Sequence, residues 1–128
     1  MSNSAIVLIA RVLLSIIFIM GGLGKLGDAA GTAAYFDSVG LPMPGILAWL
    51  VGIFELVAGL AVLVGFMTAP AAYLLALFCI ASAVIAHTDF SNQAEIIMFM
   101  KNLAIAGGYL VLGANGPGSI SVDARRAG

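Results

Sequence analysis

ILAWLVGIFELVAGLAVLVGF, residues 46–66, carries one charged side chain in its whole length. At 1.5 Å per residue, a helix of this length crosses about 30 Å of hydrocarbon. The charge is Glu55, near the middle. A carboxylate at that depth costs about 2.5–3.5 kcal/mol to insert, so it faces protein or water and takes a partner. Gly52, Glu55 and Gly59 recur at helical spacing with Ala58 beside them, which places the acid on the small-residue side of the helix. Small residues let a second helix approach closely, so this is the inward face. The rest of the chain is expected to supply partners for Glu55.

Composition agrees with a membrane-embedded chain. Of 128 residues, 62% are hydrophobic and 9% charged, and the mean hydropathy is +1.16, whereas soluble domains carry about a quarter charged residues. The length allows one domain. A formal net charge of −1 without a Lys/Arg cluster gives nucleic acid no surface to bind. Cys79 is the single cysteine, so neither an intrachain disulfide nor a CxxC pair is possible. The single histidine, His87, excludes paired imidazole ligation of haem and a Cys/His metal site within one chain. With no haem, flavin or iron–sulfur motif, the expectation is no intrinsic cofactor, no metal and no self-sufficient enzyme.

Three further spans are predicted, over about residues 5–24, 69–87 and 96–114. The first lacks the basic residues that precede a signal-peptide core, and Arg11 interrupts it, so it reads as a retained helix. Arg11, Ser15, Phe18, Gly22 and Lys25 step along one of its faces, with Lys25 placed to snorkel to the headgroups. Residues 28–40 are too short and polar to cross. They read as an interfacial helix capped by Asp28 and ended by Gly40, with Tyr35, Phe36 and Val39 toward lipid. Gly65–Pro70 is a short reversal between antiparallel spans. Residues 115–128 read as a short polar tail. Four spans put both termini on one side, and Arg125 and Arg126 there, against acidic opposite loops, assign that side to the cytoplasm.

The polar residues within the spans define the candidate ligand site: Arg11, Glu55, His87, Lys101 and Asn102. Arg11 is expected to approach Glu55 from one side of the midplane and Lys101 from the other. Two cations around one acid suit an electron-rich carbonyl, such as a quinone headgroup, or a proton path. The same charges would also serve if they only fixed helix register in a non-catalytic scaffold or assembly subunit. His87 at the rim could shuttle protons or simply hydrogen-bond the following loop. Cys79, Trp49, Tyr109, Met98 and Met100 read as packing residues, and Ala104 and Gly108 as a helix contact.

Several stretches in order resemble the DoxX-like family of small membrane proteins over nearly the whole chain. They are IARVLLSIIFIMGGLGKL at 9–26, AAYFDSVGLPMP at 33–44, FELVAGLAVLVGFMTAPAA at 54–72, AVIAHTDF at 83–90, KNLAIAGGYLVL at 101–112 and GPGSISVD at 116–123. The resemblance implies an all-α integral membrane protein of the bacterial cell membrane, a four-transmembrane-helix bundle with a short interfacial helix after the first span. It also implies association with quinone-linked thiosulfate oxidation, terminal-oxidase or thiol-redox assemblies. Expected partners are membrane lipid and either other membrane or peripheral redox proteins or further copies of the chain. The lone cysteine weighs against thiol exchange.

Overall fold

Four helices long and apolar enough to cross a membrane dominate the computed structural model, which describes residues 2–127. They are α1 (Asn3–Gly27), α3 (Pro44–Val64), α4 (Thr68–Ala86) and α5 (Gln93–Asn115). Two short helices, α2 (Ala29–Ser38) and α6 (Val122–Ala127), complete the chain, and no strand occurs among the described residues. Side-chain caps set several ends. Ser2 accepts the Ala5 N–H at 3.2 Å, Asp28 accepts that of Gly31 at 3.0 Å, and Asn92 accepts that of Ala94 at 2.9 Å. The last of these starts α5 ahead of its apolar run.

Helix α1 packs most extensively on its antiparallel neighbour α3, and α4 on α5. The buried face of α1 is Arg11, Ser15, Phe18 and Gly22, and that of α3 includes Ala48, Gly52, Glu55, Gly59 and Val62. Glycine makes this crossing possible, because a Cβ on Gly22 would lie 2.7 Å from the Leu56 nitrogen and 2.8 Å from the Gly52 oxygen. Leu75, Ala76 and Cys79 of α4 meet Ala106, Tyr109 and Leu112 of α5 in the core, joined by Phe18. Leu13, Ile16, Val57, Leu77, Leu110 and Val111 are exposed and form part of an outer apolar belt.

Arg11 does not point toward Glu55. It is 1% exposed and donates only to backbone carbonyls. Its Nε reaches Val62 at 3.0 Å, one Nη reaches Leu63 at 2.9 Å, and the other reaches both Pro117 and Ile120 at 2.7 Å. The physical reason is antiparallel register, which brings Arg11 level with the C-terminus of α3. The last carbonyls of a helix lack intrahelical donors and carry the negative end of its dipole. The five-donor guanidinium fork satisfies them and ties in a second segment at once.

Residues 117–126 therefore dock against the bundle. Asp123 accepts the Met67 N–H at 2.8 Å and the Thr68 N–H at 2.9 Å, which caps α4 from 55 residues away. Its own N–H donates to the Gly65 carbonyl at 2.8 Å. Gly65 has φ 73°, and a Cβ there would collide with Ser121, so the turn needs glycine on both counts. Arg126 lies 5.2 Å over the Phe66 ring, and Ser119 bonds Ser4 at 2.7 Å, so both chain ends meet on one side.

Two outcomes are expected. Gly22→Ala should lower the thermal midpoint in detergent, at a cost of about 1–3 kcal/mol, while Gly24→Ala, with nothing within 4 Å of its added Cβ, should not. Asp123→Ala should cost about 1–2 kcal/mol near neutral pH, as lost N-caps do. Burial pushes the Asp123 carboxyl up, but the Thr68 and Met67 N–H groups and Arg126 outweigh it and hold the carboxyl below its ordinary value of 3.8. The advantage of wild type over Asp123→Ala should therefore hold at neutral pH and disappear as the pH falls through that depressed range, in parallel melts.

Candidate functional site

A cavity of about 430 Å³ lies in the half of the bundle away from the chain termini, and all of α1 to α5 contribute to its wall. Glu55 of α3 lines its deep end and is 4% exposed. Its Oε2 accepts a hydrogen bond from Lys25 Nζ at 3.0 Å. Lys25 was expected to snorkel outward, yet it turns inward. Long helical side chains lean toward the helix N-terminus, and the residue one turn back is Gly21, whose added Cβ would lie 2.9 Å from Glu55 Oε2. The bare glycine backbone leaves the room in which the pair forms. Among the described residues, Glu55 Oε1 takes no protein hydrogen bond.

His87, the C-cap of α4, lines the cavity toward its rim. Its Nδ1 lies 2.8 Å from Glu95 Oε2 in the first turn of α5. A carboxylate only accepts, so Nδ1 is the donor and Nε2 is the ring nitrogen left without a protein partner among the described residues. Tyr35, Phe36 and Val39 of α2 form another wall. This corrects the expectation that all three face lipid, since Phe36 is 7% exposed. Burial pushes the Tyr35 phenol up, and the charge of Glu95 adds to the shift.

Asn102 also faces the cavity, with its Nδ2 donating to the Met98 carbonyl at 3.0 Å and its Oδ1 left to accept. Lys101, one residue earlier and so rotated by about 100°, is exposed and lies outside the lining, as does Arg11. The expected trio of Arg11, Glu55 and Lys101 is thus not assembled. Glu55, His87 and Asn102 share one cavity, where Lys25, Ser82 and Tyr35 join them. Lys25 had a signal in the sequence, because it continues the Arg11–Gly22 face. Ser82 and Glu95 had none beyond polarity.

Aromatic rings close the deep end. Phe78 packs against Phe18 at 6.0 Å and Phe54 at 5.4 Å, and Phe18 packs against Tyr109 at 5.6 Å. The Tyr109 hydroxyl donates to the Leu14 carbonyl at 2.5 Å.

The pairing makes a prediction about charge. Lys25→Met should destabilise by about 2–4 kcal/mol because it strands a buried carboxylate, and Lys25→Met/Glu55→Gln should recover most of that loss. Thermal melts of the two variants in one detergent check it.

The sequence pattern of the DoxX family matches residues 6–88. The chain is 43% identical to "Inner membrane protein YqjF" of Escherichia coli (strain K12), over 91% of this chain and 88% of that protein. It is 38% identical to "Inner membrane protein YphA" of the same organism, over 97% and 92%. It is 35% identical to "Putative oxidoreductase CatD" of Bacillus subtilis (strain 168), over 78% of each chain. No solved structure gives a significant match. With its family pattern, its near full-length relatives and its four apolar helices in agreement, the chain belongs to the DoxX family of multi-pass membrane proteins.

Proposed function

We propose that the chain is an inner-membrane accessory subunit of a quinone-linked redox system, and that its cavity receives the quinone headgroup. The observation that carries this reading is the Lys25–Glu55 pair at the deep end of a largely apolar cavity within the spans. A quinone needs hydrogen-bond donors at its carbonyls and apolar walls for its ring and chain. The Lys25 ammonium supplies the first, and Ile17, Leu47, Val51, Phe78, Ile85 and Ile105 supply the second. The relative named as an oxidoreductase supports redox association, and the two named as inner membrane proteins support the location.

A partner protein supplies the electrons, because a lone thiol and one histidine give this chain no redox centre. Arg125 and Arg126 on the tail side favour cytoplasmic termini, so the cavity opens toward the opposite side of the membrane. Arg11 belongs to the scaffold and not to the ligand.

Solvent extraction of purified protein tests the reading. Near-stoichiometric quinone is expected from wild type and a severalfold loss from Glu55→Gln. Absence of quinone from wild type purified in mild detergent, together with no binding of added short-chain quinone, overturns it and leaves the cavity to a scaffold role.

A further inference from the structure

A second feature of the cavity is its one-sidedness. At the deep end, Glu55 Oε2 is taken by Lys25 while Oε1 is left without a protein partner. From there polar atoms continue toward the rim on two helices. Ser82 lies on α4 and His87 caps its end, and Asn102 and Glu95 lie two turns apart on one face of α5. Ser82, Asn102 and His87 all line the cavity, and Glu95 holds the His87 ring from behind at 2.8 Å. Toward the tail side the picture reverses. The Phe18, Phe54, Phe78 and Tyr109 rings pack together, and Val62, Leu75 and Ala76 fill the core beyond them, all three buried to within 1%.

We infer that Glu55 exchanges protons with one side of the membrane only, through the Ser82–Asn102–His87 wall to the rim at Glu95. A proton taken from rim water binds His87 Nε2, whose ring is held by Glu95 through Nδ1. It passes through water carried by Ser82 and Asn102 and neutralises Glu55 at Oε1. The return path is the same in reverse. A cavity of about 430 Å³ with several polar atoms on one wall has room for such water. Glu55 is paired with Lys25 from α1, the buried Cys79 thiol of α4 is the other titratable group that feels its charge, and Ser82 of α4 and Asn102 of α5 line the same cavity without charge. His87 is paired with Glu95 from α5, and Tyr35 of α2 lines the same cavity. Protonating Glu55 also frees Lys25 to bind an electron-rich oxygen, so occupancy and proton uptake are coupled. The inference uses the cavity of the proposed function but does not depend on the ligand being a quinone.

Dicyclohexylcarbodiimide, an apolar reagent that modifies protonated carboxyl groups in membranes, tests it. The full chain is reconstituted in sealed vesicles, its orientation is read from trypsin access to Arg125 and Arg126, and Glu55 labelling is followed by mass spectrometry, with Glu55→Gln as the blank. Raising the pH on the rim side is expected to suppress labelling, by up to about tenfold per unit once Glu55 ionises, whereas the same change on the tail side leaves it unaltered. His87→Asn keeps a polar atom near the Nδ1 position for Glu95 but removes Nε2, and it should slow the response to a rim-side pH jump. His87→Gln, whose amide lies near the Nε2 position but cannot take up the proton, should slow the response as well. Asn102→Leu is the second interruption should His87→Asn fold poorly. Labelling that follows the tail-side pH, follows both sides equally, or stays constant overturns the inference, and so does an unchanged rate in folded His87→Asn and Asn102→Leu. Quinone extraction from the same preparations reports separately on the proposed function.

Discussion

A carboxylate inside hydrocarbon has to be answered from within the protein, and in this bundle Lys25 answers Glu55 at 3.0 Å. The pair needs α1 and α3 close together and in one vertical register. Gly22, Gly52 and Gly59 allow the approach, and Gly21 clears the space into which the lysine bends. Remove either condition and the ammonium no longer reaches the acid. The pair thereby connects backbone packing to the chemistry of the cavity, since the contact that makes the helices fit also leaves one carboxylate oxygen and one ammonium beside an apolar space.

The second polar centre follows the same physics with a different solution. Arg11 is as buried as Glu55 or more so, but the groups it satisfies are carbonyls and not a carboxylate. Backbone carbonyls at a helix end in a membrane have no water to turn to, and leaving them unmet costs several kcal/mol. A guanidinium with five donors can meet carbonyls from α3 and from the segment after α5 together. The two cations of α1 thus divide the labour between its ends: Arg11 closes the tail side of the bundle and Lys25 furnishes the cavity on the other.

How far this was legible in the sequence depends on what each residue reports. Four spans, the inward face of α1 and the inward placement of Glu55 all follow from hydrophobic runs and helical spacing, which are local properties. The identity of the Glu55 partner does not. Arg11 and Lys25 share one face, and choosing between them requires the axial offset of α1 against α3, set by α2 and the loop that follows it. Lys101 and Asn102 are adjacent, so about 100° of rotation decides which faces the cavity. Helix α5 is apolar nearly all round, and nothing in its pattern fixes that rotation. A short aromatic helix beside a span reads as interfacial, which points Phe36 to lipid, but its ring lines the cavity that only the folded bundle creates. Asp123 caps α4 across 55 residues, and capping is recognisable in sequence only when the cap is adjacent.

The docked tail also fixes the order in which the protein can be finished. Arg11 precedes two of its acceptors, the carbonyls of Pro117 and Ile120, by 106 and 109 residues, so it is synthesised well before they are. The cap of α4 is likewise absent until Asp123 leaves the ribosome. Synthesis of α1 and α4 and completion of their hydrogen bonds are therefore separated by the length of chain between the partners. Loss of residues 117–126 acts on that later step, leaving Arg11 without two of its four carbonyl acceptors and the first N–H groups of α4 without the Asp123 carboxylate.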